Sequence, residues 1–468
     1  MKRTSLFLLF ALISSNQLWA QLFEVDTLQY NGNPEQYINL VMMGDGYTAS
    51  QQDEFVSAAQ GLSDHLFTQE PFASYRNYFN VFAIRVISAE SGAVHPGTAA
   101  DCGSASTQVP VSNPQTYFDT RFDAYGIHRL VVSFNDNAIG TVLADHFPAY
   151  DQAFIIANSP YYGGSGGPFA VSTTNVNSNE ITAHEIGHSF AYLADEYYAG
   201  DIYAIEKPNK TQETDPALVK WKNWLGESNV GIYQHCCGGQ SAFWYKPHNN
   251  CKMRVLFAPL CPVCSEAIVE KIHDLANPLV SYTPAESAVN STQQFLDFRL
   301  DLIRPEPNTL KTEWKLNGNI LALNKDSIRI DQSVLADGNY SLTAVITDTT
   351  ALVRTDGHAS LHFSTVNWSF TRLFTGTQVM AAANRISLSV FPNPADEYLN
   401  ISLETVNPEL FSLEILSAEG RVVRRLAKDI RVIGHYDNRF SLNRLASGDY
   451  KVLLRFGNTV QTRKLVVK

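Results

Sequence analysis

Beyond its N-terminus, the 468-residue chain has no stretch approaching about 20 consecutive apolar residues, so no later segment reads as a transmembrane helix. Positive charge is also short: 35 Lys and Arg stand against 46 Asp and Glu, a net charge of −11. That balance argues against nucleic acid as the principal partner, because phosphate binding needs a basic surface. Six cysteines are too few for a disulfide-held miniprotein, and 27 Gly with 20 Pro exclude collagen-like or low-complexity chains. No internal repeat of fixed period is present. What is there is 45% hydrophobic and 11% aromatic content, enough for packed cores, in a length with room for about three domains.

The N-terminus has the order of an export signal. Lys2-Arg3 supplies positive charge, Leu6 to Ile13 an apolar core too short to span a bilayer, and Ala20 a small residue at the cleavage position. Residues 1–20 are expected to be removed, leaving a mature chain from Gln21.

Residues 21–277 mix strands and helices. Ile38 to Met43, Val81 to Ile87, Leu130 to Phe134 and Phe154 to Ala157 read as buried strands. Phe55, Ala58, Ala59, Leu62 and Leu66 recur at helical spacing, with Thr48 or Ser50 available as a cap. Strands alternating with helices predict an α/β unit. From 278 to 375, short β-rich segments such as Lys311 to Leu316 and Tyr340 to Thr347 are separated by turn residues, which predicts an immunoglobulin- or fibronectin-like β-sandwich around Trp314. A less apolar connector near Thr375 to Asn384 precedes a third β-rich unit over 386–468, with strands at Leu399 to Leu403, Phe411 to Leu416, Tyr450 to Phe456 and Thr462 to Val467.

That last unit resembles the C-terminal sorting domain of the type IX secretion system. The resemblance rests on Val390-Phe391-Pro392-Asn393-Pro394-Ala395, Gly420-Arg421-Val422-Val423, Leu445-Ala446-Ser447-Gly448-Asp449-Tyr450 and the closing Lys464-Leu465-Val466-Val467-Lys468. It implies passage across the outer membrane by the type IX machinery, followed by release or attachment at the cell surface.

The segment His184-Glu185-Ile186-Gly187-His188 carries the chemistry. Two histidines four residues apart on a helix lie on one face, about one turn apart, so both can reach one metal ion. Glu185, beside the first, can then face a metal-activated water. Ser178 or Asn179 can cap this helix, and Ile181, Phe190 and Leu193 give it an apolar face. A catalytic zinc takes three protein ligands, so a further donor is required. Asp195 and Glu196 are the nearest. On a straight helix Asp195 would lie about 10 Å beyond His188 along the axis, so the helix must end and the chain turn back between them. Ala191 stands where metzincin proteases have a Gly for such a turn, and Asp195 comes one residue later than their third ligand.

The block from His184 through Asp195-Glu196-Tyr197 resembles the IgA-peptidase family of zinc metallopeptidases. The likeness extends back to Gly44-Asp45-Gly46-Tyr47 and Gly163 to Gly167, and forward to Cys251-Lys252-Met253-Arg254 and Cys261-Pro262-Val263-Cys264. It implies a metzincin-like α/β catalytic domain, followed here by the two β-sandwich domains, and a secreted or surface zinc endopeptidase. Met253 would be the methionine under the metal site, or a core methionine. The glycine run lacks the Lys-Ser/Thr of a phosphate loop and reads as an approach to an edge strand over Phe169 to Thr173, where an extended substrate could pair, or as a surface loop.

The six cysteines, Cys102, Cys236, Cys237, Cys251, Cys261 and Cys264, favour disulfides in an exported protein, with 15 complete pairings open. The alternative is a second zinc on Cys261 and Cys264 with Cys236 or Cys237. The expected mechanism has His184, His188 and Asp195 holding Zn2+ and Glu185 as the general base, acting on protein or peptide substrates. Tyr197, Tyr198 and Tyr245 are candidate oxyanion donors. Competing readings are a surface adhesin on a metallopeptidase fold and a zinc hydrolase for glycan-linked or small peptides.

Overall fold

The computed structural model describes residues 22–104, 109–372, 387–418, 420–456 and 459–468. The expected signal peptide and the Thr375 to Asn384 connector lie outside them. The chain divides into two compact units: residues up to 289 with 297–329 and 340–370, and residues 290–296 and 330–339 with 371–468.

The first unit is organised around a six-stranded sheet in the order Val25–Gln29, Phe79–Ile84, Ile38–Asp45, Gln152–Ala157, Ala170–Thr173, Gly164–Ser165. The four inner strands are parallel and the two outer ones antiparallel to their neighbours. Every residue of Ile38–Asp45 is buried, as expected of a strand covered on both faces. Its side chains alternate between two cores. Met42 joins Phe154 and helices α1 (Gln52–Leu66), α3 (Ser178–Ala191) and α4 (Pro262–Leu275) on one side. Met43 joins Ile155, Phe118 and helix α2 (Asp136–His146) on the other. The α/β reading of residues 21–277 thus resolves into helices on both faces of a mixed sheet.

Two local expectations change. Leu130 to Phe134 forms only the two-residue strand Val132–Ser133; ahead of it Leu130 makes a single parallel bridge with Gly164 at the edge of the main sheet, the Val131 N–H donating to the Gly164 carbonyl at 3.3 Å. Ala170–Thr173 is an inner strand, and the glycine run itself supplies the edge at Gly164–Ser165.

Downstream, a five-stranded sheet runs Ala288–Val289, Phe363–Thr371, Asn339–Asp348, Leu310–Leu316, Asn319–Leu323. Fully buried Trp314 stacks on Trp368 with ring centroids 5.7 Å apart, and the strand Phe295–Leu302 alternates exposed and buried residues. These sheets are consistent with a β-sandwich.

The second unit holds a sheet of Ser387–Phe391, Tyr398–Leu416, Gly448–Phe456 and Thr459–Val467, with Val422–Ser441 paired to Tyr398–Leu416. The strands expected at Leu399 to Leu403 and Phe411 to Leu416 are one continuous strand. The first and last motifs of the tail meet: Asn393 Oδ1 accepts from the Val466 N–H at 2.8 Å, and the Lys468 N–H donates to the Ala395 carbonyl at 2.9 Å.

Candidate active site

Helix α3 ends at Ala191, and Tyr192 then adopts a left-handed conformation with φ 55°, its N–H turned back to the Gly187 carbonyl. This is the reversal that the spacing of His188 and Asp195 requires, made without glycine. The helix N-cap is Asn177, one residue before the expected Ser178 or Asn179.

The turn brings three donor atoms together. Asp195 Oδ1 lies 3.1 Å from His184 Nε2 and 3.3 Å from His188 Nε2, and the two Nε2 atoms are 3.1 Å apart. Their orientation is fixed from behind. His184 Nδ1 donates to the Lys252 carbonyl at 3.0 Å, and His188 Nδ1 donates to the Leu193 carbonyl at 2.7 Å. A carbonyl can only accept, so each Nδ1 carries a proton and each Nε2 is left facing the Asp195 carboxylate. Protons on the imidazoles or a metal cation between the three groups can join such a trio. Zinc bonds of about 2.0–2.1 Å set donor separations of about 3.3 Å in a tetrahedron, which matches this triangle and leaves the fourth position open.

The electrostatics draw positive charge to this trio. Burial alone would lower His188, but the Asp195 carboxylate outweighs it and raises the imidazole to about 9. Burial would raise Asp195, yet its hydrogen bonds with His184 and His188 hold it well below the usual carboxylate range. Glu185 is pushed up, chiefly by burial, against the opposing charges of the two imidazoles.

Glycine is needed on the facing edge. A Cβ on Gly166 would fall 2.6 Å from His188 Cβ, and one on Gly164 would fall 2.6 Å from Ile181 and 3.4 Å from Glu185 Oε1. The run is therefore pressed against the face of α3 that carries Glu185 and His188. Gly164 also gives its N–H to the Arg129 carbonyl, so part of the edge expected for substrate pairing is already occupied. Beneath the helix, buried Met253 packs its sulfur 2.9 Å from the place of a Gly187 Cβ, and its carbonyl accepts from the Glu196 N–H at 2.8 Å.

Glu196 does not compete for the site. It is completely buried, with Oε1 3.1 Å from Asn209 Nδ2 and 3.5 Å from Cys264 Sγ. Several residues without a sequence signal hold this loop. Asn209 brackets Ala194, accepting from its N–H at 2.7 Å and donating to its carbonyl at 2.8 Å. His235 donates to the Asp195 carbonyl at 2.8 Å, and the buried Lys246 ammonium donates to the Glu196 carbonyl at 2.5 Å. They come from irregular segments, where no periodicity marks a position.

His184, Glu185, His188, Asp195 and the glycine edge line a cleft of about 1160 Å³. Of the candidate phenols, Tyr197 stacks on His184 with centroids 6.4 Å apart and lies under the Arg129 guanidinium, 5.6 Å from its ring. Tyr198 also lines the cleft, whereas Tyr245 pairs with Gln234 in a two-stranded ladder and does not line it. No disulfide joins the cysteines. Cys102 lies against His95, Asp123 and His128 instead, Cys237 is exposed, and Cys251, Cys261 and Cys264 form a buried group.

Residues 27–232 match the family model described as IgA Peptidase M64, and residues 389–468 match that of the Secretion system C-terminal sorting domain. Among solved structures, the chain is similar to dimeric latent PorU from Porphyromonas gingivalis, at 14% identity and TM-score 0.19, over 40% of this chain and 20% of that one. It is also similar to the fibronectin(III)-like modules of CbhA from Clostridium thermocellum, at 10% identity and TM-score 0.15, over 40% of this chain and 93% of that one. No curated protein matches the chain. Among the described residues no helix is long and apolar enough to cross a membrane. Residues 27–232, under half of the chain, are thus similar to the IgA peptidase M64 family, and residues 389–468 to the secretion-system sorting domains, a tail that indicates a protein secreted or displayed at the outer surface.

Proposed function

We propose that the protein is a zinc endopeptidase acting on extracellular proteins, with His184, His188 and Asp195 holding the metal and Glu185 as general base. The observation that carries this reading is the triangle of two imidazole nitrogens and one carboxylate oxygen, 3.1–3.3 Å apart, with both imidazole tautomers set by backbone carbonyls. When bound there, zinc supplies Lewis acidity, activating a water and polarising the scissile carbonyl.

The chain's own residues account for the remaining chemistry. Glu185 lies next to His184 and faces the cleft, and burial raises its proton affinity, which suits a carboxylate that takes a proton from the attacking water and returns it to the leaving amine. Tyr197, held between His184 and Arg129 and hydrogen-bonded to Asp195, is our candidate to donate to a developing oxyanion. The glycine edge and the cleft mouth orient an extended peptide, and the sorting domain delivers the enzyme to its substrates outside the cell.

The test is cleavage of casein by the purified mature protein before and after chelation. The proposal predicts loss on chelation and recovery with stoichiometric zinc. Cleavage that persists in fully metal-free protein would contradict it.

A further inference from the structure

Three cysteines and a glutamate that the peptide-cleaving site does not use meet in one buried cluster. Glu196 and Cys251 come from the loops that carry Asp195 and Met253, while Cys261 caps α4 and Cys264 lies in its first turn. All four side chains are buried, and one donor atom from each lies within 4.8 Å of the others. Cys251 Sγ is 3.6 Å from Cys264 Sγ, which is 3.5 Å from Glu196 Oε1. Glu196 Oε2 is buried without a hydrogen-bond partner.

We propose that Glu196, Cys251, Cys261 and Cys264 form a second metal site, a closed zinc-type centre distinct from the one on α3. Zinc–sulfur bonds of about 2.3 Å place sulfurs about 3.8 Å apart in a tetrahedron, close to the observed thiol separation. Four protein donors leave no open position, so the ion is structural rather than catalytic. Cys261-Pro262-Val263-Cys264 sets two sulfurs at the start of a helix, where the helix dipole and exposed N–H groups favour thiolates.

A disulfide is a poorer account of the same group. Three thiols are an odd number, so any pairing leaves one buried beside a carboxylate oxygen that has no partner. Ligation uses all four donors; it releases the thiol protons and changes no oxidation state. The cluster's negative charge is met by nearby donors. The Cys261 N–H reaches Cys251 Sγ at 3.3 Å, and the buried Lys246 ammonium sits on the Glu196 carbonyl.

The site has a mechanical role. Asp195 and Glu196 are neighbours that serve different centres, so an ion held by Glu196 ties the loop carrying Asp195 to the Met253 turn and to α4. Asp195 is thereby fixed before any substrate arrives.

The proposal is tested by metal content and thiol state in the mature protein purified without reductant. In a His184→Ala/His188→Ala background, adding Cys264→Ser is expected to remove one metal equivalent per chain. Cobalt-loaded protein of that background should show sulfur-to-cobalt charge transfer that Cys264→Ser abolishes. The parent protein guards against a variant that fails to fold: after denaturation with chelator, Cys251, Cys261 and Cys264 should all alkylate. A disulfide between any two of them, or metal content unchanged by Cys264→Ser, would overturn the proposal. None of these readouts depends on peptidase activity.

Discussion

At the scale of single residues, the site depends on small groups that let larger ones approach. Gly166→Ala would drive a methyl group into His188 Cβ, an overlap relieved only by shifting α3 or the glycine run. The variant is expected to lose about 1–3 kcal/mol of stability and most of its caseinolytic activity. Gly140→Ala, in α2 with open space around it, should instead stabilise by about 0.5–1 kcal/mol and leave cleavage unchanged. Thermal unfolding and a casein assay on both variants check the pair. Asn209 is the second sensitive point, because its amide alone satisfies both backbone groups of Ala194 and also reaches Glu196. Asn209→Ala should weaken zinc binding about 10–100-fold, measured by competition with a chromophoric chelator; unchanged affinity would mean that Asp195 needs no such support.

Elements differ in how plainly they can be read from sequence, and the differences are physical. Helix α3 is legible because two histidines recur at helical spacing on an apolar support, the pattern that the proposed metal site requires. The reversal after it is legible from length alone, since Asp195 cannot otherwise reach His188. Its means is not: Tyr192 takes the left-handed turn where a glycine would be expected. Nor can Asn209, His235 or Lys246 be found, because loop residues gain their meaning only from the backbone groups they meet. Val422–Ser441 is missed for another reason. It pairs with Tyr398–Leu416, and most of its residues are exposed, so no alternation of apolar and polar residues marks it as a strand. At the end of the strand Asn339–Asp348, Asp348 accepts from the Tyr75 hydroxyl at 2.6 Å and from Thr309 at 2.6 Å, and lies 3.1 Å from His273 Nε2. Asp348→Ala would strand two buried partners and is expected to cost about 3–5 kcal/mol in urea denaturation.

At the scale of the whole molecule, residues 21–277 share these contacts with the segment that follows them. Within the first unit, Arg354 lies over Trp224 at 4.2 Å, its N–H bonds Glu266, and His358 Nδ1 is 2.8 Å from Glu270. Activity is therefore best measured on the full mature chain. The His358–Glu270 pair also gives the unit a pH signature. The hydrogen bond to Glu270 raises His358 above 6.5, so its contribution is full below that value and is lost as pH rises through the folded-state pKa. Burial opposes the ionised form of Glu270, but His358 outweighs it and lowers Glu270 below 4.5, so that contribution is lost as pH falls through its folded-state value. The pair should stabilise most between about pH 4.5 and 6.5. The gap in melting temperature between the parent and Glu270→Gln is expected to be widest there and to narrow on both sides.

The most direct test of the central claim is to measure zinc content and casein cleavage together in the mature protein and in its Glu185→Gln variant. Glu185 faces the cleft without belonging to the metal-holding triangle. The account predicts equal zinc in the two proteins and a loss of cleavage of at least about 100-fold in the variant. Cleavage at the parent rate with zinc still bound would contradict it, because the base assigned to the reaction would then have no part in it.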